Sequence, residues 1–91
     1  MIVFSRDYCT PCRVMKPWVA EVAREHPSVD VAHVNVDRQK HAHLGQFFQV
    51  QAVPMLVFAE ADGRVSARHD GLATKEQMTG TLRRLGWLGD R

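Results

Sequence analysis

The residues of this chain best suited to chemistry are Cys9 and Cys12, its two cysteines, separated by Thr10 and Pro11. Proline is favoured in the first turn of a helix, so Pro11 predicts a helix that starts at this pair. A cysteine just ahead of a helix holds its sulfur near unpaired N–H groups and the positive end of the helix dipole. Both favour thiolate over thiol, and the thiolate is the attacking species. Cys12, one turn on, is placed to attack a mixed disulfide formed at Cys9 and release the product. Thiol–disulfide exchange is the chemistry this spacing suits. Two other readings stand beside it: half of a zinc site, and two inert core thiols. Zinc needs two more ligands, and His33, His41, His43 and His69 are not spaced as a second half-site. Core thiols have no reason to sit at the start of a helix. A bridge over so short a loop constrains little of the unfolded chain, so chemistry explains the pair better than scaffolding does.

These roles need a strand, a turn and a helix in that order. Ile2-Val3-Phe4 is continuously apolar and reads as a strand buried on both faces, with Ser5-Arg6-Asp7 as the loop to the cysteines. The helix is expected to open at Thr10 or Pro11. Met15, Trp18, Val19 and Val22 form its inward stripe, Pro17 bends it, and Pro27 stops it by His26. Val29 to Val36, with Val31 and Val34 between, reads as a second buried strand. Asp37 offers a cap for a short amphipathic helix carrying Ala42, Leu44, Phe47 and Phe48, weakened by Gly45. Val53 to Phe58 is a third strand with Pro54 near its head. Asp62-Gly63 signals a hairpin into a fourth strand, Arg64 to His69, where Val65 and Ala67 alternate with polar residues as at an edge. Gly71 marks a turn, Thr74 with Gln77 is a capping-box pattern, and Met78, Leu82 and Leu85 line a last helix that Gly86 closes. The order is β-α-β-α-β-β-α, in a single domain over residues 1–91.

The 91 residues, 45% hydrophobic and 24% charged, describe an ordinary globular chain with a modest core. A net charge of +2 from scattered basic residues argues against nucleic acid as a partner. No apolar run approaches the roughly 20 residues that span a membrane. Met1-Ile2-Val3-Phe4 lacks a basic leader and is too short for a signal peptide, so a chain starting at Met1 is expected in the cytoplasm. There a C-x-x-C pair tends to be catalytic or metal-binding.

The ordered set Cys9-Thr10-Pro11-Cys12, Pro17, Asn35-Val36-Asp37, Val53-Pro54 and Gly71 resembles the thioredoxin superfamily over nearly the whole chain. The resemblance implies an α/β thioredoxin-like fold, a four-stranded mixed sheet flanked by helices, that begins without the family's N-terminal strand–helix unit. It implies Cys9 as nucleophile, Cys12 as resolving thiol, no cofactor besides their redox-active disulfide, and no metal. It implies a cis Val53–Pro54 bond facing the cysteines, next to which the substrate backbone pairs as an added strand. Tyr8, Thr10, Pro11, Val53 and Gly71 are then expected around the substrate. Pro17 matches the family's helix-bending proline, and Arg13 its basic residue after the second cysteine.

Several positions depart from that pattern. Phe4-Ser5-Arg6 ahead of Tyr8-Cys9 is similar to glutaredoxin, in which a basic residue at the place of Arg6 binds the glutathione carboxylate. Asp62-Gly63-Arg64-Val65 and Gly71-Leu72-Ala73-Thr74 are similar to thioredoxin instead, and Thr74 stands where glutaredoxins carry an acid that grips the other end of glutathione. Tyr8 replaces the family's tryptophan and is expected to form an apolar wall. Val3 stands where thioredoxins bury an aspartate thought to accept the Cys12 proton. His33, with an unperturbed pKa of about 6.5, is a candidate for that role; the plainer reading is a core histidine bonded to backbone. Asp70 is expected close to the sulfurs, where it would disfavour the Cys9 thiolate; the plainer reading is a solvated loop acid. Val29–Val36, left as an apolar edge, invites pairing, so a weak dimer stands as the alternative to a monomer.

The function these features support is reduction of protein disulfides through Cys9 and Cys12, recharged by a thioredoxin-reductase-type flavoenzyme. The alternative is a glutaredoxin-like redoxin or a donor to ribonucleotide reductase, recharged through glutathione. A binding module that uses the fold only as a scaffold is the reading from a different class, and the intact Cys9, Cys12 and Pro54 argue against it.

Overall fold

The apolar run at the head of the chain forms the strand on which the sheet is built. In the computed structural model, which describes residues 1–88, β1 (Ile2–Ser5) pairs in parallel with β2 (Ala32–Asn35) and antiparallel with β3 (Met55–Ala59). β3 in turn pairs antiparallel with β4 (Val65–Asp70), giving a four-stranded mixed sheet in the order β2-β1-β3-β4. The last three residues of the expected 1–91 domain lie outside the described residues. α1 (Thr10–Glu25) and α3 (Lys75–Arg84) cover one face; α2 (Ala42–Phe47), entered through a 3-10 turn at Gln39–His41, lies against the other.

Alternate residues of the central strands point to opposite faces, so each strand feeds two cores. Val3, Leu56 and Phe58 meet Met15, Val19 and Val22 of α1 and Met78 and Leu82 of α3. Phe4, Met55 and Val57 meet Val34 and Phe48 on the other side. A strand with no solvated face has no reason to alternate in polarity, which is why Ile2-Val3-Phe4 and Met55 to Phe58 read as unbroken apolar runs.

The helix ends follow local rules. Thr74 Oγ1 accepts from the Gln77 N–H at 3.1 Å, and Gln77 Oε1 accepts from the Thr74 N–H at 2.9 Å, which completes the capping box of α3. At its other end the Trp87 and Gly86 N–H groups donate to the carbonyls of Leu82 and Arg83 at 2.9 and 3.0 Å, with Gly86 at φ +75°. That is a Schellman closure, and it needs the left-handed conformation that glycine supplies without strain. α1 runs from Thr10 and stops at His26, as Pro27 requires.

Four expectations are corrected. The second strand is Ala32–Asn35 rather than Val29–Val36, because the four residues of β1 give pairing partners only to that segment. Val29 is buried, but in the turn before the strand, and Ala32 and His33 are exposed. β3 begins at Met55, after Pro54, which has no N–H to give to a ladder. In β4 the register shifts between Phe58 and Ala59, so Ala67 faces Phe58 while Val65 faces Ala59. The bulge turns Val65 to the opposite face from Ala67, against the simple alternation expected. Phe47 is 67% exposed rather than inward. Leu44 and Phe48 share the inner face at helical spacing, and Phe47 stacks edge-on against Phe48 at 4.8 Å from outside. No helix among the described residues is long and apolar enough to cross a membrane.

Candidate active site

Cys9 is the N-cap of α1, with extended backbone at φ −112° and ψ 102°, and its Sγ accepts a hydrogen bond from the Cys12 N–H at 3.2 Å. The sulfur therefore fills the position where helix N–H groups lack backbone partners and where the dipole favours negative charge. Cys9 and Cys12 are bonded to each other, with Sγ–Sγ 2.06 Å and Cα–Cα 5.2 Å. Cys9 is 8% exposed and Cys12 somewhat more. Among the described residues no three or more of His, Cys, Asp and Glu gather as a metal site.

The loop that delivers the pair is clipped in place by polar contacts. The Asp7 N–H donates to Asp37 Oδ2 at 2.9 Å, and Asn35 Nδ2 donates to Asp7 Oδ1 at 3.1 Å. The Asp37 N–H donates to Asn35 Oδ1 at 2.8 Å, and Arg38 approaches Asp7 at 3.5 Å. Asn35-Val36-Asp37 thus ties the end of β2 to the loop before the cysteines. Asp37 was expected to cap the following helix; its carboxylate goes to Asp7 instead, and the 3-10 turn at Gln39–His41 has no side-chain cap. Tyr8 bridges this clip and the cysteines at φ +58°, a left-handed conformation uncommon for a residue with a side chain.

A cleft of about 560 Å³ opens beside the pair and brings together Arg6, Tyr8, Cys9, Cys12, Arg13, His33 and Pro54. Val53–Pro54 is a cis peptide, as the resemblance implied. Val53, Asp70 and Gly71 line a second hollow that shares Pro54 but not the cysteines. Asp70 therefore stands apart from the cleft of the sulfurs, opposite Met55 in the sheet register. Gly71, at φ +85°, donates its N–H to the Pro54 carbonyl at 2.9 Å and so fixes the end of β4 to the proline. Thr10 and Pro11 are exposed in the first turn of α1, with Arg13 Nη2 donating to Thr10 Oγ1 at 3.2 Å. Tyr8 is 98% exposed, so it stands as a rim rather than packing as a wall.

His33 lies opposite Val3 in the β1–β2 register and faces the same cleft as Cys12. It is exposed at the sheet edge and is not a core histidine. Desolvation on its cleft side, with a smaller contribution from the nearby Lys16 ammonium, holds the imidazole below its ordinary value.

Two residues of the site went unnoticed in the sequence. Lys16 lines the cleft one helical turn after Cys12, and that spacing alone could have shown it. Arg68 donates to the carbonyls of Phe48 and Gln49 at 2.6 and 3.2 Å and reaches Met55 Sδ at 3.2 Å, bracing the segment that leads to Pro54. Its role depends on the register of β4, for which the sequence carries no local signal.

The Thioredoxin family profile matches residues 1–84. A thioredoxin of Chlamydia pneumoniae is 29% identical over 82 residues, covering 90% of this chain and 78% of that protein. An H-type thioredoxin of Fagopyrum esculentum is 35% identical over 79 residues, covering 82% of this chain and 66% of that protein. The X-ray structure of Fasciola hepatica thioredoxin superposes with a TM-score of 0.80 at 32% identity, over 91% of this chain and 76% of that one. The chain spans about half to about three quarters of the length of the curated relatives it matches. Because the family match takes in every strand and helix described above, the chain belongs to the thioredoxin family and is a thiol–disulfide oxidoreductase, a protein-disulfide reductase.

Proposed function

We propose that Cys9 attacks and Cys12 resolves. The Cys9 thiolate attacks one sulfur of a substrate disulfide; that bond breaks, a mixed disulfide forms, and the other substrate sulfur leaves as a thiolate and takes a proton from water. Cys12 then gives its proton to a base facing the cleft or to water, and its thiolate attacks Cys9 Sγ. The mixed disulfide breaks, the second substrate thiolate leaves, and the Cys9–Cys12 bond closes. Two electrons pass from the dithiol to the substrate, and a thioredoxin-reductase-type flavoenzyme returns two electrons and two protons. The reducing cytoplasm is the compartment that suits this cycle. The substrate chain pairs with the backbone beside Pro54 at Val53, with Tyr8, Thr10, Pro11 and Gly71 around it.

The observation that carries the assignment is the Cys12 N–H aimed at Cys9 Sγ at 3.2 Å. It stabilises charge on Cys9 at a helix end, a position Cys12 does not share. Exposure alone ranks the two the other way. The hydrogen bond decides the order, since attack requires thiolate and opening the Cys9–Cys12 bond frees both side chains to turn. The test is trapping. Cys12→Ser should accumulate a mixed disulfide with a substrate peptide, while Cys9→Ser should form none and lose dithiothreitol-driven insulin reduction. An adduct on Cys9→Ser would reverse the two roles.

A second reading, a glutaredoxin-like redoxin or ribonucleotide-reductase donor recharged by glutathione, is favoured by Arg6 in the cleft. Against it, Thr74 is committed to capping α3. Turnover with NADPH and thioredoxin reductase, compared with NADPH, glutathione and its reductase, separates the two.

A further inference from the structure

We infer that the site prefers protein disulfides flanked by acidic side chains, because the wall of the cleft built by α1 and the loop before it carries Arg6, Arg13 and Lys16 beside the sulfurs with no free carboxylate among them. The inference rests on the disulfide-exchange reading above and names its substrate class. Asp7 is the single acid in the cleft lining, and it is already held by Asn35 and Arg38. Among the described residues the ion pairs are Arg38–Asp7, Lys75–Glu21 and Lys75–Glu25, so the three cations at the site have no acidic partner there. All three are exposed.

The placement of these charges is not explained by the helix that bears two of them. The N-terminal end of a helix favours acids and disfavours cations. α1 has no acid in its first turn; Arg13 and Lys16 fall in its first two turns, while Glu21 and Glu25 lie toward its far end. Nor is it explained by composition, since the whole chain carries a formal charge of only +2. A cationic wall beside Cys9 both supports its thiolate and attracts carboxylates on an incoming chain. The other side of Pro54 has no such excess of positive charge. There Asp70 and Arg68 line the hollow together, one charge of each sign, with the Arg68 guanidinium bonded to the Phe48 and Gln49 carbonyls. The asymmetry orients the substrate, with its acidic flank toward α1.

The test uses peptides with one disulfide and flanking residues that are Glu in one and Gln in the other. At low ionic strength kcat/KM should be about tenfold higher for the Glu peptide, and the ratio should fall toward one near 1 M salt, where the screening length is about 3 Å. Combining Arg6→Gln, Arg13→Gln and Lys16→Gln should bring the low-salt ratio close to one. Any change in Cys9 reactivity affects both peptides alike and leaves the ratio untouched. Equal rates on the two peptides, or a ratio that survives the triple variant, overturns the inference while leaving disulfide reduction intact. Glutathione disulfide reduced faster than the Glu peptide also overturns it, assigning the basic wall to a small carboxylate ligand. Reduction of none of these, nor of insulin, would instead bring down the exchange mechanism beneath it.

Discussion

When Cys12 gives up its proton, Val3 offers nothing to take it, and the nearest change the chain makes is one strand over. His33 lies opposite Val3 in the register of β1 and β2 and shares the cleft with Cys12. Of the groups facing that cleft, Arg6, Arg13 and Lys16 are cations and Asp7 is held by Asn35 and Arg38, so the imidazole is the free base. Burial of its cleft side and the Lys16 charge keep it below about 6.5, hence neutral and able to accept near pH 7. We therefore expect collapse of the Cys9 mixed disulfide, followed by stopped-flow, to slow as pH falls through the imidazole's lowered value. His33→Gln should remove that inflection and slow the step by no more than about 100-fold, the low end for a general base where water can substitute. An unchanged pH profile in His33→Gln would show that the proton goes elsewhere. Stability moves in the same direction. With the folded pKa below the unfolded one, the unfolded chain binds more protons in the window between them, so stability is present above about 6.5 and is lost as pH falls through the folded value. His33→Gln should flatten that acid-side loss in a denaturant series.

Elements whose ends are set by neighbouring residues were legible in the sequence; those set by distant partners were not. Thr74, Gln77 and Gly86 place both ends of α3, because capping and closure are local hydrogen-bonding problems. Pro11 and Pro27 bracket α1 for the same reason. The bounds of β2 instead depend on how much of β1 there is to pair with, and the face of Val65 on a bulge opposite Ala59. The clip between Asn35, Asp37 and Asp7 joins residues about 30 positions apart, and the sequence showed only that Asn35-Val36-Asp37 was a motif, not what it holds. Its consequence is testable at the level of the loop. Asp37→Ala frees the Asp7 N–H and loosens the segment that carries Tyr8 at φ +58°. We expect a loss of about 1 kcal/mol in urea unfolding, the size of one partly solvated hydrogen bond, and faster backbone amide exchange at Asp7 and Tyr8. Unchanged exchange at those two amides would mean that the loop is held by something other than the clip.

Across the whole molecule, one sheet separates two cores, and both faces must be filled for the cysteines to be held at the end of β1. Phe58 is 0% exposed between α1 and α3 and packs near Trp87 at 6.3 Å. Phe58→Ala should cost about 3–5 kcal/mol, a large part of the roughly 5–15 kcal/mol available to a domain, and thermal melting will show it. The fold class followed from element order and the resemblance, since unbroken apolar strands leave few architectures that cover both faces. The apolar edge expected from Val29–Val36 did not materialise, and that bears on association. β2 is an edge strand of four residues, with Ala32 and His33 exposed and Asn35 already bonded to Asp7. The Ala32 and Val36 N–H groups donate inward to Met1 and Ser5 at 3.0 and 2.9 Å, so the amides of His33 and Asn35 face the open edge. Two outward amides on so short a strand cannot by themselves build the roughly 1,200 Å² of a stable interface. At the other edge β4 carries Arg68 and Asp70, charges of the kind that discourage strand addition. Sedimentation velocity over a wide concentration range should accordingly give a single species of monomer mass. His33→Pro sharpens the test, because it deletes an outward amide without touching the inward ladder. A dimer in the native chain that disappears in His33→Pro would establish pairing through β2 after all. A dimer that survives the substitution would place the contact on another surface.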